Sequence, residues 1–511
     1  MLSPASSTRS LPPRLPTSSR RNVHFQPKPS LKSRLVGVHV FMGFLMSIIG
    51  AGMLSVPYTL VLVPMWQAIT GIVFVGVSMS CTANALLHAH VHAAARAEFE
   101  AHALGAGSKY AGFQALARRA GGPTLGYVVS LIMVSGVYGG CVGNIQIIRD
   151  LTPFVVKLVD SGVNDLSESG QENVKQVVMW VLLAVILLPL CMLRKLSALQ
   201  PTNYVSFVLS IYLVGAVVYR SFEGYRPADQ ATGTQVLAGE ERNSTDSLNV
   251  TAVSQSLEGN SFSRLAQSIS IYNFAFMMTL NLLPLFVQLL KANGGTNLRR
   301  SWAMRNFTTF VTAPPLLATR SQMRECIFGA TFICAVLYGS IGCAAFDLYG
   351  DKIDGNILLN LQSDPVMKIP LIATYLTVLF TFPLLFLPLR SLIEELLTQT
   401  FKSNDSGEYP DESKHSDGES EFSSIARLTI VSVLLCTQQL IALNVSGIEV
   451  VFSLMGATSC LVICYVFPVI AFTTVYPWRR SRHGFLWLAV LWTIVLLVTI
   501  QGITCVYLLQ T

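Results

Sequence analysis

The chain is poor in charge. Asp, Glu, Lys and Arg make up 12% of its 511 residues, about half the usual share in a soluble protein. So few charges do not cover the surface of a soluble chain of this length. The basic excess is also small, a formal +7 over the whole chain, which excludes the basic stripe of a nucleic-acid-binding protein. Cysteine is sparse. The ten cysteines all sit in or beside apolar stretches, where they read as small buried side chains rather than a disulfide framework. Residues 1–35 are rich in Ser, Pro and Arg and lack the apolar run of a cleaved secretory leader; the expectation is a disordered cytosolic tail.

What is abundant is apolar. Hydrophobic residues reach 52% and the mean hydropathy is +0.53. A helix crossing a hydrocarbon core about 30 Å thick needs about 20 mostly apolar residues. Stretches of this kind occur at 36–58, 65–90, 124–148, 177–193, 201–219, 266–290, 325–347, 369–389, 425–443, 448–475 and 485–508. They are continuously apolar, without the alternation of a membrane barrel. The expected fold is an all-α polytopic membrane protein with about 11 transmembrane helices over 36–510, surrounded by membrane lipid.

Cytosolic loops hold the excess of Lys and Arg. With the N-terminus inside, 26 of the 35 basic residues fall on the cytosolic side, which predicts a cytosolic N-terminus and an extracytosolic C-terminus. The polar 220–264 loop then lies outside and carries two glycosylation acceptor patterns, at Asn243 and Asn249. The acidic 391–424 segment falls inside and reads as a solvated linker.

The first apolar stretch contains Gly50-Ala-Gly-Met-Leu-Ser-Val-Pro-Tyr58. Two glycines and a proline weaken a helix, and irregular backbone at membrane depth occurs where it is buried or lines a cavity. In transporters, the ends of broken helices face substrate, with free amides for an anionic group and free carbonyls for a cation. Close packing through small residues explains the same spacing. Both readings stand at this stage.

Gly50–Tyr58, following basic residues, resembles the opening signature of the amino acid/auxin permease family. Further similarities follow in order: Leu116–Gly122, Pro189–Ser197, Ala275-Phe276 with Pro284, Tyr349–Asp351 with Asn356–Asn360, Phe382-Pro383 with Pro388–Arg390, and Phe452–Ala457 with Pro468. The resemblance implies a five-plus-five inverted repeat, with the first and sixth spans broken around a central site for an amino acid. It also implies coupling to protons or sodium in many branches; no cofactor is expected.

On that resemblance, the backbone at Gly50, Ala51, Gly52 and Met53 would hold the carboxylate and ammonium, with Phe276 and Thr279 facing it from the sixth span. Many members of the family carry His or Gln where this chain has Thr279. Tyr138 and Thr381 are further candidates. Sodium-coupled relatives carry an Asn where this chain has Met46, a poor ligand for a hard cation, so a proton or facilitated movement is expected over sodium. A proton needs a titratable group; the candidates are His39, Asp347 and Glu449.

Two other classes stay open. His88, His90 and His92, with Glu98, Glu100 and His102 nearby, include a pair one helical turn apart that suits a metal. A membrane metal enzyme generally needs several such clusters, and the other histidines form none; the expectation is no metal site and no enzyme. An amino acid sensor that signals without transport would use the N-terminal tail and the 391–424 linker for docking. Residues 293–322 form an apparent insertion, moderately apolar over Phe307–Leu317 and interrupted by Pro314-Pro315.

Overall fold

A computed structural model of the protein describes residues 31–104, 112–159, 176–192, 200–224, 261–293, 314–405, 424–480 and 483–510. Among these residues the elements are helices, with no strand. The described residues begin with α1 (Leu31–Ile48), a 3-10 turn (Ala51–Ser55) and a short helical turn (Thr59–Leu62). α2 (Met65–Leu104) and α3 (Phe113–Val159) follow. Next come α4 (Gln176–Cys191), which includes a π-helical turn at Leu183–Leu187, and α5 (Gln200–Glu223). The sixth stretch is split into α6 (Ser261–Ala275) and α7 (Thr279–Ala292). α8 (Pro314–Tyr349), α9 (Lys368–Asp405) and α10 (Ser424–Asn444) lead to α11 (Ile448–Ala457), α12 (Phe467–Val475) and α13 (Gly484–Gln510).

Helices are the form in which a long apolar run satisfies its own backbone in lipid. By length and apolarity, nine described stretches suffice to cross a membrane. A bent pair, Val36–Ile48 and Ala51–Leu62 meeting at 42°, makes a tenth. Of the remaining expected span, 177–193, the described residues Gln176–Cys191 are helical, as α4.

Burial sorts the helices. The apolar windows of α2, α6–α7 and α11–α12 are each 61% buried, whereas those of α5, α10 and α13 are 28% buried. The first group is the interior and the second the lipid-facing rim. Large apolar side chains such as Phe332, Leu496 and Ile503 point outward because the surroundings are apolar. In the interior, helices meet through backbone: a Cβ at Gly456 of α11 would lie 1.8 Å from the Ser270 carbonyl oxygen of α6.

Several boundaries differ from expectation. Of the expected 1–35 tail, Leu31–Leu35 are described, and they are helical and continuous with the first span. The expected 391–424 linker starts as helix, since α9 runs on to Asp405. Arg390 and Arg427 flank Glu394 there, each at 3.6 Å. Of the 293–322 insertion, Pro314–Gln322 is helical and continuous with α8. Asn243, Asn249 and the middle of the insertion lie outside the described residues.

Candidate functional site

Two interruptions organise the centre of the molecule. α1 stops at Ile48, and the Gly50 amide turns back to the Ile48 carbonyl oxygen at 2.8 Å. A 3-10 turn starts at Ala51, with Met53 N–H on the Gly50 carbonyl at 3.2 Å. The first amides of such a turn, Ala51 and Gly52, have no carbonyl behind them to bond. The sixth stretch is interrupted over Phe276–Met278. The two breaks touch: a Cβ on Gly52 would lie 2.6 Å from Ala275 Cα.

A cavity of about 390 Å³ lies against both breaks. Its wall includes Ile48 through Leu54, Phe274, Ala275 and Met277, with Gly136, Gly140 and Asn144 of α3. It runs along α1 to His39, along α7 to Gln288, and along α5 to Tyr204. The start of α1, the start of α5 and the end of α7 thus share the cavity, which extends toward the start of α1. At the other end, among the described residues, polar side chains tie the helices together. The Thr59 and Tyr272 hydroxyls meet at 2.6 Å, and Arg149 donates to the Ala442 carbonyl. Arg220 and Asp364 form a bidentate pair at 2.6 and 2.7 Å, with Asp364 1% exposed. Asn356 and Gln362, from the segment after α8, donate to the Asp150 side chain and carbonyl at 3.0 and 3.1 Å.

The expected site residues separate on this geometry. Gly50, Ala51, Gly52, Met53 and Thr381 line the cavity; Tyr138, Phe276 and Thr279 do not. Tyr138 points to α10, where its hydroxyl donates to Thr437 at 3.0 Å. Phe276 is fully buried against Tyr338, and Thr279 is buried against Cys464. Of the titratable candidates, His39 lines the cavity and is hydrogen-bonded to Tyr204. Asp347 accepts from Ser221 at 2.7 Å. The Glu449 side chain lies against Gly355 and Gly447. Neither carboxylate reaches the cavity.

Residues not singled out in the sequence complete the wall. Asn281 donates to Ser47 at 2.8 Å, joining α7 to α1. Thr374, Thr377 and Thr381 present one face of α9, and the Thr377 hydroxyl has no hydrogen-bond partner among the described residues. Their spacing of three and four is the signal that a polar stripe on an apolar helix leaves in a sequence. Asn281, Pro284, Leu285 and Gln288 have helical spacing on α7 too, with a polar residue at each end. Among the described lining residues none is Asp, Glu, Lys or Arg.

Of the histidine cluster, His88, His90 and His92 pack against aromatic rings, and the side chains of Glu98, Glu100 and His102 lie outside the described residues. His88 stands edge-on to Phe472 and Tyr476, at 6.4 and 5.4 Å between centroids. His90 is fully buried against Phe286, and His92 meets Tyr476. Among the described residues no three metal-ligating side chains converge.

Residues 38–313 and 316–509 match the family described as transmembrane amino acid transporter protein. The chain belongs to that family. Its relatives in Saccharomyces cerevisiae are distant. Vacuolar amino acid transporter 5 is 20% identical over 371 residues, covering 68% of this chain and 71% of its own. Vacuolar amino acid transporter 2 is 22% identical over 335 residues, covering 65% and 57%. Vacuolar amino acid transporter 6 is 26% identical over 166 residues, covering 27% and 37%. As a member of the transmembrane amino acid transporter family, the protein is an integral, multi-pass transporter and not an enzyme.

Proposed function

We propose that the protein carries one amino acid with an uncharged side chain across its membrane by alternating access, binding it where the two interrupted spans face the cavity. One observation carries this reading: in a transmembrane amino acid transporter, a cavity without charged lining lies against two helix breaks. The Ala51 and Gly52 amides suit the carboxylate, and the negative dipole ends of α1 and α6 suit the ammonium. A zwitterion brings opposite charges that these dipoles meet. An extra side-chain charge would be desolvated without a counter-charge, at a cost of several kcal/mol.

The basic-residue bias supports a cytosolic N-terminus, so the cavity faces the cytosol in this structure. A five-plus-five repeat suits the breaks in the first and sixth spans. His39 is the proton-coupling candidate favoured by position, because it lines the cavity and bonds to Tyr204; Met46 on the same wall argues against sodium. The names of the yeast relatives favour an organelle membrane over the cell surface. The test is uptake of a panel of amino acids into vesicles, at two pH values, with and without sodium. Flux of uncharged amino acids, raised by a pH gradient and indifferent to sodium, is expected. Binding without flux under any gradient would contradict carriage and favour a sensor.

A further inference from the structure

The half-helices α1 and α6 end at Ile48 and Ala275, and both ends meet the same side chain. The Tyr338 hydroxyl, from α8, lies 2.7 Å from the Ile48 carbonyl oxygen and 3.0 Å from that of Ala275. Its ring is fully buried and edge-on to Phe276, with centroids 5.0 Å apart. Tyr338 is not part of the cavity wall. It reaches the two breaks from behind.

The last carbonyls of a helix lack intrahelical partners and form the negative end of its dipole. Two such ends brought together in a low-dielectric interior repel each other. A phenol is the donor that stands where these two converge, and it has one proton for two acceptors. The bond is therefore shared, and displacing either helix end changes the hydrogen bonding of the other. The Ile48 carbonyl also accepts the Gly50 amide. A continuous path thus runs from Tyr338 through the Ile48 carbonyl to the backbone turn that presents Gly50 to the cavity.

We propose that Tyr338 is a positioning residue of the transport cycle, its hydroxyl tying the ends of α1 and α6 together so that both breaks keep one geometry at the substrate site. The inference rests on the reading that the breaks form that site. Tyr338→Phe removes the hydroxyl and keeps the ring on Phe276. The expected result is a KM for the carried amino acid raised about 5- to 30-fold, the range for buried carbonyls deprived of a donor, with membrane abundance and monodispersity unchanged. An unchanged KM, or a fall in flux that merely follows a fall in abundance, overturns the proposal. Should the Phe variant not accumulate, 3-fluorotyrosine in place of Tyr338 makes the test with a stronger donor of nearly the same shape. A shifted KM supports the proposal and an identical KM overturns it. A wild-type protein that moves no amino acid sinks the site reading and this inference together; wild-type flux with an unchanged KM in Tyr338→Phe sinks this inference alone.

Discussion

Gly50 and Gly52 stand two residues apart in the same break, and the structure gives them opposite jobs. A methyl group on Gly52 would sit 2.6 Å from Ala275 Cα, 3.0 Å from its Cβ and 3.2 Å from its nitrogen. Carbon atoms rest at about 3.5–4.0 Å, so Gly52→Ala must push the two breaks apart by about 1 Å. Overpacking of that kind costs about 1–3 kcal/mol, and the contact is with backbone, which yields less readily than a side chain. At Gly50 an added Cβ meets nothing within 4 Å, and the residue has φ −110° and ψ −158°, open to any L residue. Gly50→Ala should therefore leave stability within about 0.5 kcal/mol of wild type while placing a methyl group in the cavity beside the free amides. The assay pairs thermal unfolding of the purified protein with uptake kinetics in vesicles. Gly52→Ala should lose both stability and flux. Gly50→Ala should keep its unfolding midpoint and raise KM about tenfold or more, the equivalent of about 1.4 kcal/mol. Wild-type kinetics in Gly50→Ala would refute the argument that substrate touches this turn, and a wild-type midpoint in Gly52→Ala would refute the packing argument.

Other outcomes follow from the same geometry. Asp364→Ala takes the bidentate partner from Arg220, which keeps Glu223 at 2.6 Å, and the expected loss is about 1–3 kcal/mol, read as a lowered unfolding midpoint; a midpoint equal to wild type contradicts it. Burial and then the neighbouring Asp150 charge raise the pKa of Asp354, in the segment after α8, above its ordinary 3.8. The folded state thus holds that proton more tightly than the unfolded chain, so its stabilising contribution is full below 3.8 and fades as pH rises through the raised value. Hydrogen-exchange protection of Ile353–Leu361, corrected for intrinsic rates, should fall with rising pH and flatten in Asp354→Asn; equal slopes in both proteins contradict this. His39→Gln should reduce the pH dependence of uptake, whereas His88→Ala with His92→Ala should leave it intact; the reverse pattern would move coupling to the second span.

The membrane-spanning character was legible because an apolar run of bilayer length has few other uses, and the described helices fall on the expected stretches. The glycines at Gly50–Gly52 marked either a break or close packing, and both are present: α1 stops at Ile48 and Gly52 presses on Ala275. The division of labour between the two glycines was not legible, because what separates them is Ala275, more than two hundred residues away. The interruption at Phe276–Met278 has no glycine or proline to mark it; only the family resemblance pointed there, and its surroundings are tertiary, with Gly52 pressed on Ala275 and Tyr338 bonded to the freed carbonyl. Tyr138 shows the limit from the other side. α3 buries residues on several faces, so a polar residue in it carries no sign of direction, and this one turns to Thr437 rather than to the cavity. The threonine stripe of α9 and the Asn281–Gln288 stripe of α7 follow helical periodicity and mark the wall once that face is known.

The most direct test of the account is counterflow in proteoliposomes holding the purified protein, with each amino acid offered in turn as label. The account predicts that an amino acid with an uncharged side chain accumulates against an unlabelled internal pool, and that Gly50→Ala, at equal protein content, needs a higher concentration to do the same. Accumulation of lysine or glutamate as readily as of uncharged amino acids, or unchanged counterflow in Gly50→Ala, would contradict it.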